Sequence, residues 1–271
     1  MRRAKIVCTI GPAVESVEKI TELIAAGMNM ARLNLSHGGH EEHQIRLNNV
    51  REVAKKANKA VAILVDLQGP KIRLGRFKNG PHDLARGDKF TITTEDIEGT
   101  KDRVSTTYKG LPGDCKIGDK IMIDDGKVTV EVSEVNGNDV VTKVIHPGAV
   151  SNNKGLNLPG VAVSVPAMSE KDVADLRWGL KAGADFIALS FVRNASDVKD
   201  VHKIMDEVGI RIPVIAKIEK PQAVANLQEI VDAFDGIMVA RGDLGVELPI
   251  EDVPMVQKRC ITMARESAKP V

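Results

Sequence analysis

Apolar positions recur along this chain with two different periods, and the points where the period changes divide it into three stretches. Lys5 to Ile10, Met30 to Leu35 and Val61 to Leu67 are apolar runs of strand length. Helical patterns lie between them, first Val17, Ile20, Leu23 and Ile24 on one face closing at Gly27, then about His40 to Ala57. From about Pro70 to Val165 the alternation stops, and short β runs with turn residues take over. The clearest is Lys120 to Val132 around an Asp125-Gly126 hairpin turn. Gly87-Asp88-Lys89 and Gly118-Asp119-Lys120 each open a strand and read as turn chemistry, not as a true repeat. Strand and helix resume at Pro166. A capping-box pattern at Ser169 to Asp172 starts a helix that carries Val173, Leu176 and Leu180 and closes at Gly183, before a strand from Phe186 to Ser190. A helix over about Ser196 to Val208, a strand from Pro213 to Ile218, a helix opened by Pro221, a strand from Gly236 to Ala240 and a helix over about Pro254 to Ala268 complete the pattern.

The polar positions are most informative where they end these strands. Lys217 and Glu219 are two apart and project from one face of an extended chain. If the next strand is the adjacent one, about 4.8 Å away, its terminal Asp243 comes within reach of whatever Glu219 holds. Two carboxylates beside a fixed ammonium suit a hard cation such as Mg²⁺ and a multiply charged anionic substrate. A salt bridge at a sheet edge is the alternative for the Lys217/Glu219 pair alone. Arg32, Asn34 and Ser36 likewise form a polar face opposite Leu33 and Leu35, in a strand covered on both faces, where buried polar groups need a ligand or ion as partner. Asp66 closes another strand and is assigned to the same site in preference to a loop cap. Polar residues contributed by the ends of many strands, in six βα units interrupted by a β insertion, favour an α/β TIM-type (β/α)8 barrel over an open doubly wound sheet. The barrel is incomplete at about six units, since a next strand would begin at Lys269-Pro270-Val271, and such an open edge predicts poor stability for the isolated stretch. The expected boundaries are residues 1–69 for the first part of the barrel, 70–165 for an inserted small all-β barrel domain, and 166–271 for the second part of the barrel.

Composition narrows the partners. Among 271 residues, 38 Lys and Arg balance 37 Asp and Glu, with no aromatic-interleaved basic patch, so nucleic-acid binding is not expected. No apolar stretch approaches the ~18 residues of a membrane span, and Met1 to Lys5 leads into the first strand without a signal-peptide pattern. Cys8, Cys115 and Cys260 suggest neither a disulfide framework nor a zinc site, which points to a reducing cytoplasm.

Six segments in order, Lys5 to Pro12, Ala31 to Gly38, Asp66 to Arg73, Asn153 to Gly160, Ile215 to Glu219 and Met238 to Gly245, resemble the N-terminal portion of a bacterial pyruvate kinase. The resemblance implies phosphoryl transfer from phosphoenolpyruvate to ADP, giving pyruvate and ATP, the final step of glycolysis. It implies a barrel A domain, a mobile B domain that closes over the site, and a homotetramer in the full-length protein. Carried over residue by residue, Glu219 and Asp243 hold Mg²⁺ (or Mn²⁺), and Lys217 stabilises the transferring phosphoryl group and the developing enolate. Backbone N–H groups around Arg241, Gly242 and Asp243 take the substrate carboxylate. Arg32 and Arg73 grip phosphates, and His37 and Lys154, with Asn34 and Ser36, fall at nucleotide-contacting positions.

In many members of the family Asn34, Ser36, Asp66 and the carbonyl at position 67 coordinate K⁺. Here Leu67, Gln68, Lys71 and Leu74 resemble the potassium-independent branch, with the Lys71 ammonium expected in the cation's place and activity expected without K⁺. The family's Thr near the protonated carbon would lie beyond Val271, so no proton donor is assigned. Two alternatives use the same residues. One is a Mg²⁺-dependent barrel aldolase or lyase acting on a pyruvate enolate, which needs neither Arg73 nor Lys154. The other is an inactive phosphoenolpyruvate-binding fragment.

Overall fold

In the computed structural model, which describes residues 4–161 and 163–271, strands and helices alternate as their periodicity requires. The first stretch gives β1 (Val7–Thr9), α1 (Val17–Ala26), β2 (Met30–Asn34), α2 (His40–Lys56) and β3 (Ala62–Asp66). The inserted stretch gives β4 (His82–Leu84), β5 (Lys89–Thr93), β6 (Arg103–Ser105), a single helical turn α3 (Leu111–Asp114), β7 (Lys120–Ile123), β8 (Val128–Asn136), β9 (Asp139–His146), β10 (Gly148–Val150) and β11 (Leu156–Asn157). The last stretch gives α4 (Glu170–Ala182), β12 (Phe186–Leu189), α5 (Asp197–Val208), β13 (Val214–Ile218), α6 (Pro221–Ala225), α7 (Leu227–Ala233), β14 (Gly236–Val239), α8 (Arg241–Glu247) and α9 (Val253–Glu266).

β1, β2, β3, β12, β13 and β14 form one six-stranded sheet in that order, every pair parallel. This is the curled half of a β/α barrel. Its helix-facing side chains, among them Leu33, Ile63, Val65, Ile187, Leu189, Ala216 and Ile218, share one core with Ile20, Val50, Leu176, Val201 and Ile230 of the helices. Each fully buried Val, Leu or Ile side chain among them contributes roughly 1.5–3 kcal/mol. The opposite, concave face has its own small apolar cluster of Leu64, Ala188 and Ile215, packed by Met30, Phe186 and Met238. Two residues beyond Met30, Leu64, Ala188 and Ile215 that face turns polar, at Arg32, Asp66, Ser190 and Lys217, and the candidate site begins there.

The insertion folds on a separate core that includes Phe90, Ile92, Ile121, Val130 and Val140. Its six-stranded sheet runs β11-β7-β8-β9-β5-β6, with a two-stranded ribbon of β10 and β4 beside it. Arg73 bridges Gly155 next to β11, and Leu74 bridges Thr106 next to β6, so the 73–74 segment links the two edges of the sheet. Such pairing satisfies edge groups that would otherwise be free to pair with another chain. The two Gly-Asp-Lys turns prove equivalent in detail. Gly87 and Gly118 both have φ near +90° (91° and 92°), Asp88 Oδ2 accepts from Ala85 N at 2.9 Å, and Asp119 Oδ2 accepts from Lys116 N at 2.7 Å.

Two details depart from the sequence pattern. The helix opened by Pro221 is divided at Asn226, whose side chain leaves the helical register and donates to the Arg193 carbonyl at 3.0 Å. Asp243 does not end a strand. β14 stops at Val239, and Asp243 sits in the first turn of α8. All three cysteines are free, and burial pushes the Cys115 thiol up to about 12 and that of Cys260 to about 11. Among the described residues, no helix is long and apolar enough to cross a membrane.

Candidate active site

The strand register brings the polar ends together. β13 lies between β12 and β14, and β3 lies on the other side of β12, so Lys217, Ser190 and Asp66 rise from neighbouring strands on the concave face. Lys217 Nζ is 2.8 Å from Glu219 Oε1, 3.4 Å from Asp66 Oδ1 and 2.7 Å from Ser190 Oγ. The cluster is sealed from solvent, with Glu219 and Asp66 each 1% exposed and Lys217 8%. At 3.4 Å the Asp66 contact is an ion pair without hydrogen-bond geometry, and Asp66 Oδ1 is a buried oxygen with no hydrogen-bond partner.

Burial alone would depress the Lys217 ammonium, but the Glu219, Asp66 and Asp243 carboxylates together outweigh it and hold its pKa above the ordinary lysine value. Glu219 moves the other way from a typical paired carboxylate. Burial raises it most, the Lys217 charge pulls it back, and the Asp243 charge raises it again. A buried carboxyl with a second carboxylate beside it is short of positive charge, which is the condition a divalent cation would relieve. Both Glu219 oxygens are engaged, Oε1 by Lys217 and Oε2 by the Phe191 N–H at 2.7 Å. Each carboxylate oxygen has a second lone pair, so the donor set fits a hard cation.

Arg32 joins from β2. Its Nε and Nη2 both lie 2.6 Å from Asp66 Oδ2, and its Nη1 donates to Thr9 Oγ1 at 2.9 Å. The planar fork is therefore fixed at the mouth of the cluster while three quarters of its side chain stays covered, at 25% exposure. Asn34 Oδ1 accepts from Ser36 N at 3.2 Å, His37 is exposed, and its carbonyl meets His43 Nε2 at 2.8 Å. From the inserted unit, Arg73 Nη1 donates to the Asn153 carbonyl at 3.0 Å, and Lys154 Nζ pairs with Asp124 Oδ1 at 3.1 Å. Arg241, Gly242 and Asp243 are exposed on α8.

The potassium residues come together only in part. The Leu67 carbonyl accepts from Ser190 Oγ at 2.7 Å, in the same neighbourhood as Asp66. Lys71 is not brought to Asp66: its Cε lies 3.6 Å from the point where Gly155 would carry a Cβ, against the inserted unit. The positive charges beside Asp66 in this arrangement are Arg32 and Lys217.

Several partners of the cluster carried no mark in the sequence pattern. Ser190 links Lys217 to the Leu67 carbonyl, and its only signal was a hydroxyl closing an apolar strand. Phe191 adopts φ 55°, a strained conformation for a non-glycine residue costing roughly 1–3 kcal/mol, and its N–H supports Glu219. Gly69 passes so close that a Cβ would lie 2.6 Å from the Phe191 ring and 2.9 Å from Ser190 Cβ, which is why this linker position carries glycine. A small cavity of about 40 Å³ lies between the two units, lined by Lys71, Asp125, Asn157, Phe191, Lys220 and Asp243 among others.

Comparison with known proteins places this geometry. The family model described as pyruvate kinase, barrel domain, matches residues 1–271. A pyruvate kinase of Corynebacterium glutamicum is 60% identical over 270 residues, covering 100% of this chain and 57% of that protein. One from Mycobacterium tuberculosis is 55% identical with the same coverage, and one from Geobacillus stearothermophilus is 49% identical, with 46% of its length matched. Among solved structures, a pyruvate kinase from Cryptosporidium parvum superposes with a TM-score of 0.96 at 40% identity, over 100% of this chain and 57% of the other. The chain thus spans about half the length of the curated relatives it matches.

Proposed function

The chain belongs to the pyruvate kinase family, and from that premise we propose that it supplies the phosphoenolpyruvate and Mg²⁺ site of an enzyme that transfers the phosphoryl group of phosphoenolpyruvate to ADP, yielding pyruvate and ATP. The observation that carries this reading is the buried Asp66–Ser190–Lys217–Glu219 cluster at the C-terminal ends of adjacent parallel strands, with the Asp243 charge felt at both Lys217 and Glu219. That end of a barrel is where catalytic residues gather in such folds.

Phosphoryl transfer through a loose transition state asks for alignment and charge neutralisation more than for covalent help. Lys217 stays protonated because its carboxylate neighbours keep its pKa high, so it offers a fixed positive donor to the migrating phosphoryl group and to the enolate left behind. Arg32, locked by Asp66 and Thr9, presents a rigid fork to phosphoryl oxygens without an ordering cost at the moment of reaction. Backbone N–H groups at Arg241, Gly242 and Asp243 would receive the substrate carboxylate. Glu219 and Asp243 would hold Mg²⁺ or Mn²⁺, which when bound polarises the substrate's carboxylate and enolate oxygens. Arg73 and Lys154 would meet the nucleotide phosphates from the lid, with Asn34, Ser36 and His37 facing them from the barrel. An aldolase or lyase acting on a pyruvate enolate would have no use for those lid charges.

Pyruvate formation from phosphoenolpyruvate and ADP with Mg²⁺, measured on the full-length protein and on its Asp243→Ala variant, tests the reading. Turnover in the parent that falls at least a hundredfold in the variant is expected, by analogy with the loss of other groups that stabilise transition-state charge, about 10²–10³-fold. No turnover in the parent would favour the lyase or an inactive phosphoenolpyruvate-binding protein. The same reading predicts a cytoplasmic homotetramer, checked by light scattering, and activity without K⁺. For Lys71 to replace that ion it must swing from Gly155 towards Asp66 on ligand binding. A KCl titration against tetramethylammonium should be flat, and Lys71→Met should make it rise. A steep rise in the parent overturns the potassium-independent assignment.

A further inference from the structure

Glu247 is a buried charge for which the transfer reaction gives no reason. It lies four residues after Asp243 on α8, its side chain 2% exposed. Its Oε1 is 2.6 Å from Lys220 Nζ and accepts a 3.1 Å hydrogen bond from Asn157 Nδ2. Asn157 belongs to β11, in the inserted unit. Lys220 directly follows Glu219, and its ammonium lies 5.3 Å over the ring of Phe191, the residue whose N–H holds Glu219. One carboxylate oxygen therefore fastens a lid strand to the barrel at the point where the barrel supports its candidate metal ligand.

The two partners of Glu247 are not equivalent. Separating Lys220 from Glu247 would leave the buried Glu247 carboxylate uncompensated, a severe penalty. Releasing the neutral Asn157 amide leaves the ion pair intact. The contact to the lid is thus the one that can open and close. The other polar links between the two units differ in place: Arg193 donates to the Val163 and Val165 carbonyls, both at 2.8 Å, and Gln222 reaches the Val161 carbonyl at 3.4 Å. The Arg193 bonds sit on the return linker, where a rotation displaces atoms least, and Val161 lies at the end of the inserted core next to that linker, whereas Asn157 lies on a strand of the inserted sheet itself.

We propose that Glu247, anchored to the barrel by its ion pair with Lys220, is a positioning residue that registers the lid on the barrel through Asn157. The inference rests on the phosphoryl-transfer reading, because only that chemistry requires a nucleotide held by lid charges to meet a phosphoryl donor held by the barrel. Asn157 then governs how well the nucleotide is presented, and has little bearing on the donor itself.

The full-length protein and its Asn157→Ala and Asn157→Asp variants provide the test, with steady-state kinetics and hydrogen exchange read side by side. Asn157→Ala is expected to raise the KM for ADP about tenfold, the size of one lost hydrogen bond to a charged group, while the KM for phosphoenolpyruvate changes less than about twofold. Asn157→Asp, which sets a second carboxylate against Glu247, should raise the ADP KM further. Both variants should exchange faster at residues 156–157 and 163–165 without a change in the α4 and β12 amides. Unchanged ADP kinetics and unchanged exchange in both variants would overturn the proposal. So would equal losses for the two substrates accompanied by a lower melting temperature, which would mark Asn157 as merely structural. If the parent showed no transfer at all, the functional reading would fail, while the exchange data would still decide whether Asn157 latches the lid.

Discussion

Lys217 shows how burial and charge compete at one residue. Desolvation disfavours its ammonium, yet three carboxylates in its surroundings win, and the group remains a cation in a nearly dry site. Besides Glu219 it donates to Ser190 Oγ at 2.7 Å, which in turn donates to the Leu67 carbonyl at 2.7 Å, and its third N–H is left for the substrate. Ser190 therefore aims the ammonium without touching substrate. Replacing it by Ala removes an acceptor from a buried cation, a loss of roughly 1.5–3 kcal/mol. We expect Ser190→Ala to lower kcat at least tenfold with a smaller change in the KM for ADP, and Ser190→Thr to retain most of the rate; equal kcat in the Ala variant would show that Glu219 alone orients the lysine. The period-two alternation was enough to mark Lys217, Glu219, Arg32 and Asp66, because each breaks an apolar strand with a charge. Ser190 escaped because a lone hydroxyl at a strand end is ordinary in any loop.

At the scale of single elements, caps were legible where their chemistry is local. Ser169 and Asp172 form the reciprocal capping box at the start of α4, and Gly183 closes the helix with φ 86°. No local pattern marks that Asp172, fully buried, also accepts from the Gly69 N–H at 2.9 Å and so fastens the linker that passes Ser190. Ser169→Ala should cost about 1 kcal/mol, as cap losses do. Asp172→Ala should cost about 3 kcal/mol because it also orphans a buried N–H, and denaturant melts of the two variants would separate the two roles. α2 carries a titrating element of the opposite kind. His43 is buried, its Nε2–H donates to the His37 carbonyl, and its Nδ1 has no partner. Burial lowers its pKa most, Arg46 adds to this, and the His37 carbonyl, Glu42 and Asp175 oppose it. The unfolded chain thus binds a proton at His43 more readily than the folded one. Its contribution is fully present above about pH 6.5 and is lost as pH falls below that value. Urea melts from pH 7.5 to 5 should show this loss, with a shallower slope for His43→Gln; His202, also lowered by burial, leaves a residual slope of the same sign.

For the whole molecule, six parallel strands and their helices could be read from alternating periods because each βα unit is a local pattern with its own caps. The edge-linking bridges at Arg73 and Leu74, and the place of Asp243 on a helix, depend on contacts between distant segments that no short window records. The barrel core draws on residues 10–67 and 168–264 and the other core on residues 72–161, with no side chain in common. We therefore propose boundaries at 69/70 and 165/166 and a lid that turns on its two linkers. The return linker is held from both sides. Arg193 takes the Val163 and Val165 carbonyls, while Asp114 of the inserted unit accepts from Ser164 N at 2.8 Å and Ser164 Oγ at 2.7 Å. Arg193 is itself fixed by Asp197, which accepts from its N–H at 2.7 Å, and by Asn226 on its carbonyl. Arg193→Ala leaves both cores intact but frees two linker carbonyls from the barrel, so the linker should open more often by local unfolding. Thermolysin, which cuts before Val residues, should then cleave first at 163–165, several-fold faster than in the parent, while the barrel core resists. Asp114→Ala should accelerate the same cut from the lid side. If cleavage in both variants instead began inside the inserted sheet, the linker would not be the weak point, and the lid would open by unfolding instead of by turning.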